Sequence, residues 1–293
     1  MNPRPSVLIT GASSGIGREL AFCVAADGYD LILTGRNSVE LASTCSQVET
    51  RHPETKVHSF LADLSSETGA QGLIDALRAA GLSVDVLVNN AGFGVHGNFV
   101  ESSLDAERSL TGVHIIAPWL LTKAFLPAMI ERGSGGVLNV GSVYSFSTAP
   151  WQALYGAAKS WQLSFSLALR EEVRGTGVKI STLCPGTTLS QFRERFGHKD
   201  KASWFTLTPT EVAQAAWEAF QADRAVVVPG LYYKLYVALA RRLPTSWLGR
   251  FVYLSSYRVR NMAAPRFTKK PGSGGVTNLQ TESLGNEAGE RPN

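Results

Sequence analysis

A doubly wound α/β fold, a single domain on a parallel sheet of about seven strands with a C-terminal helical extension, is the architecture the sequence predicts. Three observations predict it. Short apolar runs alternate with helical stretches over residues 5–230. The runs are continuously apolar, as strands buried on both faces must be. Glycines cluster where the runs end, beginning with Gly11, Gly15 and Gly17 between the first run and the first helix.

The elements follow in order. The run "SVLI" is the first strand, and "RELAFCVAADG" after it has helical periodicity. The run "YDLILTGR" is the second strand, and "SVELASTCSQVETR" opens on a capping serine, Ser38, and continues with helical spacing. Further strands are expected in "KVHSFLADL", "VDVLVNNAG", "GGVLNVGS", "VKISTLCPG" and "AVVVPG", with a helical stretch between each consecutive pair. A helix over 209–222 opens with Thr208, Pro209 and Glu211, which suit an N-cap, a first-turn proline and a capping-box acid. Residues 1–230 thus read as one α/β unit. Residues 231–267 read as two helices broken at Pro244, a basic amphipathic extension, and 268–293 as a polar, glycine-rich disordered tail.

Composition bounds the function. At 293 residues and 44% hydrophobic, the chain can bury a large core. Its net charge of +4 is unevenly spread: residues 1–230 carry 18 Lys and Arg against 21 Asp and Glu, whereas 231–270 carry nine basic residues and no acidic one. That is too sparse for nucleic acid, and no nucleic-acid partner is expected. The three cysteines, Cys23, Cys45 and Cys184, are odd in number and lack metal spacing, so buried reduced thiols are expected and no metal site. The first strand starts within about six residues, leaving no room for a secretory signal, so a cytoplasmic protein is expected. Residues 133–158 lack Asp, Glu, Lys and Arg, but their Gly, Ser, Asn and Gln content reads as a buried strand and an active-site loop, not a membrane span.

The stretch "TGASSGIG", Thr10 to Gly17, sits at a strand-to-helix junction. Glycines there let a ligand approach the backbone, and the helix N-terminus favours an anionic phosphate. Tyr155 and Lys159 stand four apart at the start of a helix and share one face. A phenol with an ordinary pKa near ~10 is a poor acid at neutral pH, and a nearby ammonium is expected to lower it.

Gly11-x3-Gly15-x-Gly17, Asn89-Asn90-Ala91-Gly92, Ser142, Tyr155-x3-Lys159 and Pro185-Gly186 together resemble the short-chain dehydrogenase/reductase family, over roughly residues 5–230. Within it the chain is similar to the DltE-like bacterial reductases. The resemblance implies a Rossmann fold and a cofactor site made of Gly11, Ser13, Ser14, Gly15, Ile16, Gly17, Arg36, Asp63, Leu64, Asn90, Ala91, Gly92, Tyr155, Lys159, Pro185, Gly186, Thr188 and Ser190. It implies that Tyr155 exchanges a proton with the carbonyl oxygen while the nicotinamide gives hydride, with Ser142 on the same oxygen. Arg36, at the end of the second strand where an acidic residue would bind ribose hydroxyls, points to NADP(H) over NAD(H); the alternative is a solvated arginine. Asp63 looks like the family residue at the adenine edge, or a turn cap.

His114 departs from the family, which expects asparagine there as part of a proton relay through its main-chain carbonyl. It is counted with the catalytic set, either as a titratable group near Lys159 or as a packed core histidine. The stretch 187–205 lies where the family carries a substrate lid; Phe192, Phe196, Trp204 and Phe205 would line it for a lipophilic carbonyl or alcohol, or merely pack it. The extension covers the cleft or a subunit interface, or lies peripherally on a membrane. A homo-oligomer is expected. Two rival readings are a non-catalytic dinucleotide-binding regulator and a membrane-associated scaffold on the same fold.

Overall fold

Residues 4–189 and 205–260 are described by the computed structural model. Seven parallel strands form one sheet in the order β3-β2-β1-β4-β5-β6-β7. They are β1 (Ser6–Thr10), β2 (Asp30–Gly35), β3 (Val57–Leu61), β4 (Val86–Asn89), β5 (Gly136–Val140), β6 (Lys179–Leu183) and the two-residue β7 (Val226–Val227). The order reverses between β1 and β4, so the carboxyl ends of these strands open the crevice in which such sheets bind ligands.

Strand alternation divides the core in two. Val7, Ile9, Leu31, Leu33, Val86 and Val88 pack beneath α1 (Gly15–Ala26), α2 (Ser38–Arg51) and α7 (Pro209–Gln221). Leu8, Ile32, Leu87, Val137 and Ile180 face α3 (Glu67–Ala79) and α5 (Ala117–Arg132). Both faces of each central strand are therefore apolar, which is why the runs read as continuous. The capping box at α7 forms as expected: Glu211 N donates to Thr208 Oγ1 at 3.2 Å, and Thr208 N to Glu211 Oε2 at 2.8 Å. At α2 the cap is Asn37, one residue before the expected Ser38, because helical geometry already begins at Ser38; Asn37 Oδ1 accepts from Glu40 N at 3.1 Å.

Residues 104–132 are helical throughout: α4 (Leu104–Thr111), a π-turn (Gly112–Ile116) and α5. By length and composition this run could cross a membrane. Val113, Ala117, Leu121 and Phe125 instead bury it against the sheet as a core helix. The uncharged stretch that follows forms β5, a 3-10 turn (Val143–Phe146) and the start of α6 (Ala153–Glu172). The cysteines depart from expectation: all three are unpaired, but only Cys184 is buried, while Cys23 and Cys45 sit half-covered at the margin of the core. Among the described residues no His, Cys, Asp or Glu cluster could hold a metal. The extension forms α8 (Leu231–Ala240) and α9 (Thr245–Arg260), broken across Pro244. The expected tail lies outside the described residues.

Candidate active site

The glycine loop is built for a close guest. Gly11 and Gly15 have φ of +67° and +57°, and a Cβ on Gly17 would lie 2.4 Å from Gly11 O. Asn90 Nδ2 donates to Thr10 O at 2.8 Å and Gly11 O at 3.2 Å, while Thr10 Oγ1 accepts from Asn90 N and Ala91 N. The Asn90 amide, expected at the cofactor, is thus committed to holding the loop against β4. Ser14 is the N-cap of α1 but its side chain caps no N–H, and no acid occupies the first turn. The positive end of α1 is consequently left open beside the crevice, with Ile16 packed on the core below it. Ser13 O accepts from Arg18 Nη2 at 2.6 Å. This donor set fits the pyrophosphate of a dinucleotide.

Arg36 and Asp63 flank the outer end of the same crevice. Arg36 Nη1 lies 3.8 Å from Asp63 Oδ1, with both side chains more than half exposed. Asp63 Oδ1 also accepts from Ser65 N at 3.0 Å, so it caps its own turn, and the following Leu64 is buried in the core. A pair this exposed is worth little by itself and can exchange partners easily.

At the other end, β5 and α6 bring Ser142, Tyr155 and Lys159 into one buried site. Ser142 hydrogen-bonds the Tyr155 phenol and also accepts from Tyr144 N at 3.2 Å. Lys159 Nζ donates to Val140 O at 2.5 Å and Gln162 Oε1 at 3.1 Å, and stands 5.7 Å from the centre of the Tyr155 ring. Burial pushes the lysine down from 10.5 to about 7. The phenol moves opposite to the sequence expectation: burial pushes it above its ordinary range, and the bond with Ser142 only partly offsets this. The physical reason is that the ammonium is directed at Val140 O and Gln162 and has itself lost charge to desolvation.

His114 occupies the π-turn and is buried. Its Nε2 lies 2.6 Å from Phe93 O and 3.2 Å from Phe93 N, and Nδ1 has no hydrogen-bond partner among the described residues. The ring meets Tyr155 edge-on at 5.5 Å. Burial first, and then the Lys159 charge, holds its pKa well below the usual value, so the ring is neutral at neutral pH. Gly92 is needed beneath it, since a Cβ there would come within 2.7 Å of His114 Cε1.

The loop after β6 closes the site. Val143 N donates to Pro185 O at 3.0 Å, and Thr188 Oγ1 donates to Gly186 O at 3.2 Å. Tyr233 of α8 sits on Gly186, and its hydroxyl accepts from Thr187 N at 2.8 Å. Tyr236 donates to Ser147 Oγ at 2.8 Å, and Tyr253 of α9 stacks on Trp151 at 5.3 Å. A cavity of about 300 Å³ opens there, lined by Val95, Phe99, Trp151, Leu154 and Tyr253 among others. Val95 and Leu154 also pack on the cluster that contains Tyr155. Ser190, Phe192, Phe196 and Trp204 lie outside the described residues; Phe205 stacks on Tyr232 of α8 at 5.1 Å.

Sequence reading missed Gln162, which holds Lys159, although its i+3 spacing from the lysine was a usable signal. It also missed a buried polar chain in which Asn89 Nδ2 donates to Asn139 Oδ1 and Asn139 Nδ2 to Ser166 Oγ, each at 2.8 Å. These partners lie on three elements, so no local spacing reveals them.

The short chain dehydrogenase family model matches residues 5–201. The ketoacyl reductase HetN of Nostoc sp. is 33% identical over 181 residues, covering 62% of this chain and 62% of that protein. The chain thus spans somewhat under two thirds of HetN. A short-chain dehydrogenase from Sphingobium yanoikuyae in complex with NADPH superposes with a TM-score of 0.73 at 29% identity, covering 90% of this chain and all of that one. A short-chain dehydrogenase/reductase from Burkholderia phymatum in complex with NAD gives a TM-score of 0.71 at 26% identity, covering 80% and 92%. The narrower likeness to DltE-like reductases rests on the sequence alone.

Proposed function

Because the chain belongs to the short-chain dehydrogenase/reductase family, we propose that this oxidoreductase interconverts a lipophilic ketone and its alcohol with NADP(H), using Ser142, Tyr155 and Lys159. The observation that supports this reading most directly is their convergence at the floor of a cleft whose other end carries the open glycine loop. A nicotinamide dinucleotide bound there supplies hydride to the carbonyl carbon. Ser142 orients the carbonyl oxygen by hydrogen bonding, and Tyr155 donates its phenolic proton to that oxygen. Lys159 favours the resulting phenolate in its charged form. An anionic dinucleotide beside the lysine would restore that charge by offsetting its burial.

Arg36 selects NADP(H) in this reading by leaving its weak, exposed pairing with Asp63 for the 2′-phosphate, a more highly charged partner. The aromatic and aliphatic cavity lining suits a lipophilic substrate. The name of HetN, a ketoacyl reductase, is consistent with a carbonyl substrate. His114 keeps the proton-relay route open only through its backbone, since its side chain is neutral and held by Phe93.

The test is to follow NADPH and NADH absorbance over a panel of ketones and alcohols. Turnover of Tyr155→Phe should fall by about 100-fold or more, the usual contribution of a positioned proton donor, with cofactor affinity nearly unchanged. Arg36→Asp should move the cofactor preference toward NADH, by removing an attraction and adding a repulsion. Normal turnover by Tyr155→Phe would overturn the mechanism, and equal NADPH affinity in wild type and Arg36→Asp would overturn the cofactor choice.

A further inference from the structure

Helices α8 and α9 are apolar on two faces. The inner face is accounted for: Tyr233, Val237, Ala240, Leu248 and Val252 are buried against the loops of the site. The outer face is a second stripe, with Leu231, Leu235 and Leu239 at four-residue spacing on α8 and Trp247, Phe251 and Leu254 one turn apart on α9. Leu231 is 73% exposed and Trp247 72%. A surface helix of a soluble domain would place polar groups there. Lys234, Arg241, Arg242 and Arg250, all exposed, accompany the stripe. From Arg224 through Thr281 the sequence has ten basic residues and no acidic one.

We propose that this outer face seats the protein on an anionic phospholipid surface. The charges select that occupant. A second copy meeting the same face about a two-fold axis would set arginine against arginine, with no carboxylate in the segment to pair them. An anionic leaflet supplies the missing negative charge, and its interfacial region takes tryptophan, phenylalanine and leucine side chains. The helix that presents the stripe also presents Tyr253 to the cavity, whose lining includes the exposed Phe99. Seated this way, the cavity mouth opens beside the lipid, the phase in which a lipophilic carbonyl is concentrated. Only this last consequence rests on the proposed carbonyl chemistry; the seating itself does not.

The experiment is co-sedimentation of the full-length protein with phosphatidylcholine vesicles, with and without phosphatidylglycerol. Binding should require phosphatidylglycerol and be released between about 0.05 and 0.5 M salt, as surface attraction is screened. Arg241→Gln/Arg242→Gln should weaken it about 30-fold, from roughly fivefold for each charge near the surface. Leu235→Ser/Trp247→Ser/Phe251→Ser should abolish it, with the thermal midpoint and the turnover of a water-soluble ketone unchanged, because these side chains support neither core nor site. Turnover reads the proposed activity separately, so either reading can fail alone. The seating is overturned by absent binding, by equal binding to phosphatidylcholine alone, or by binding that the helix variants leave intact. Self-association that the triple variant dissociates, without vesicle binding, would assign the face to a second copy and overturn it as well.

Discussion

Lys159 shows how far burial can change a side chain whose role the sequence suggests. Among the described residues its acceptors are a backbone carbonyl and an amide, and neither carries a full negative charge to offset desolvation. Its pKa of about 7 in the fold lies below its ordinary 10.5. Between those values the unfolded chain holds a proton on this residue that the folded one lacks, so the lysine's contribution to stability rises with pH across about 7 to 10, at up to about 1.4 kcal/mol per unit. Below about 7 both states are protonated and this contribution to the slope vanishes. Urea unfolding of wild type and Lys159→Met between about pH 7 and 9 should differ by this slope, since the covered thiols, which act with the opposite sign above about 9, are common to both; parallel curves would mean that the ammonium is charged in the fold. His114 has the same sign at lower pH, since a histidine held neutral by burial loses stability as acid protonates the unfolded chain.

At the scale of elements, the decisive contact is between the loop after β6 and α8. Gly186 leaves room for the Tyr233 ring: an added Cβ would lie 2.1 Å from two ring carbons. Tyr233 in turn accepts the Thr187 amide, so one side chain both fills the space over the loop and satisfies its backbone. Gly186→Ala should therefore destabilise by about 1–3 kcal/mol through overpacking. Chemical denaturation of a cycle with Tyr233→Leu should show the two changes to be less than additive, as residues in contact are. Strict additivity would show that the ring moves aside without cost.

For the molecule as a whole, the extension is part of the site's architecture. It supplies Tyr233 to the loop after β6 and both Tyr236 and Tyr253 to the loop before α6, and closes a small apolar cluster with Tyr144 and Phe146. Truncation after Gly230 should cost more than about 3 kcal/mol, the scale of losing one large buried aromatic, and should raise KM for bulky ketones more than for small ones. Thermal unfolding and steady-state kinetics test both. An unchanged midpoint with unchanged KM would reduce the extension to an appendage.

The strand and helix pattern, the glycine loop and the Ser142, Tyr155 and Lys159 set were legible in the sequence because each is written in local spacing: continuous apolar runs, three glycines at a junction, two residues one helical turn apart. The cap of α7 was legible for the same reason, whereas the cap of α2 slipped by one residue because two polar side chains compete there. Tertiary structure decided what depends on surroundings. It turned Asn90 into a brace for the glycine loop, buried His114 as a neutral ring, and set Gln162 against Lys159. It also showed that α8 and α9 cover the site with one face while leaving the other apolar and exposed. Periodicity identifies which residues share a face, but the partner of that face and the dielectric around it are set by elements distant in sequence, and those determine a buried group's charge and hydrogen bonds.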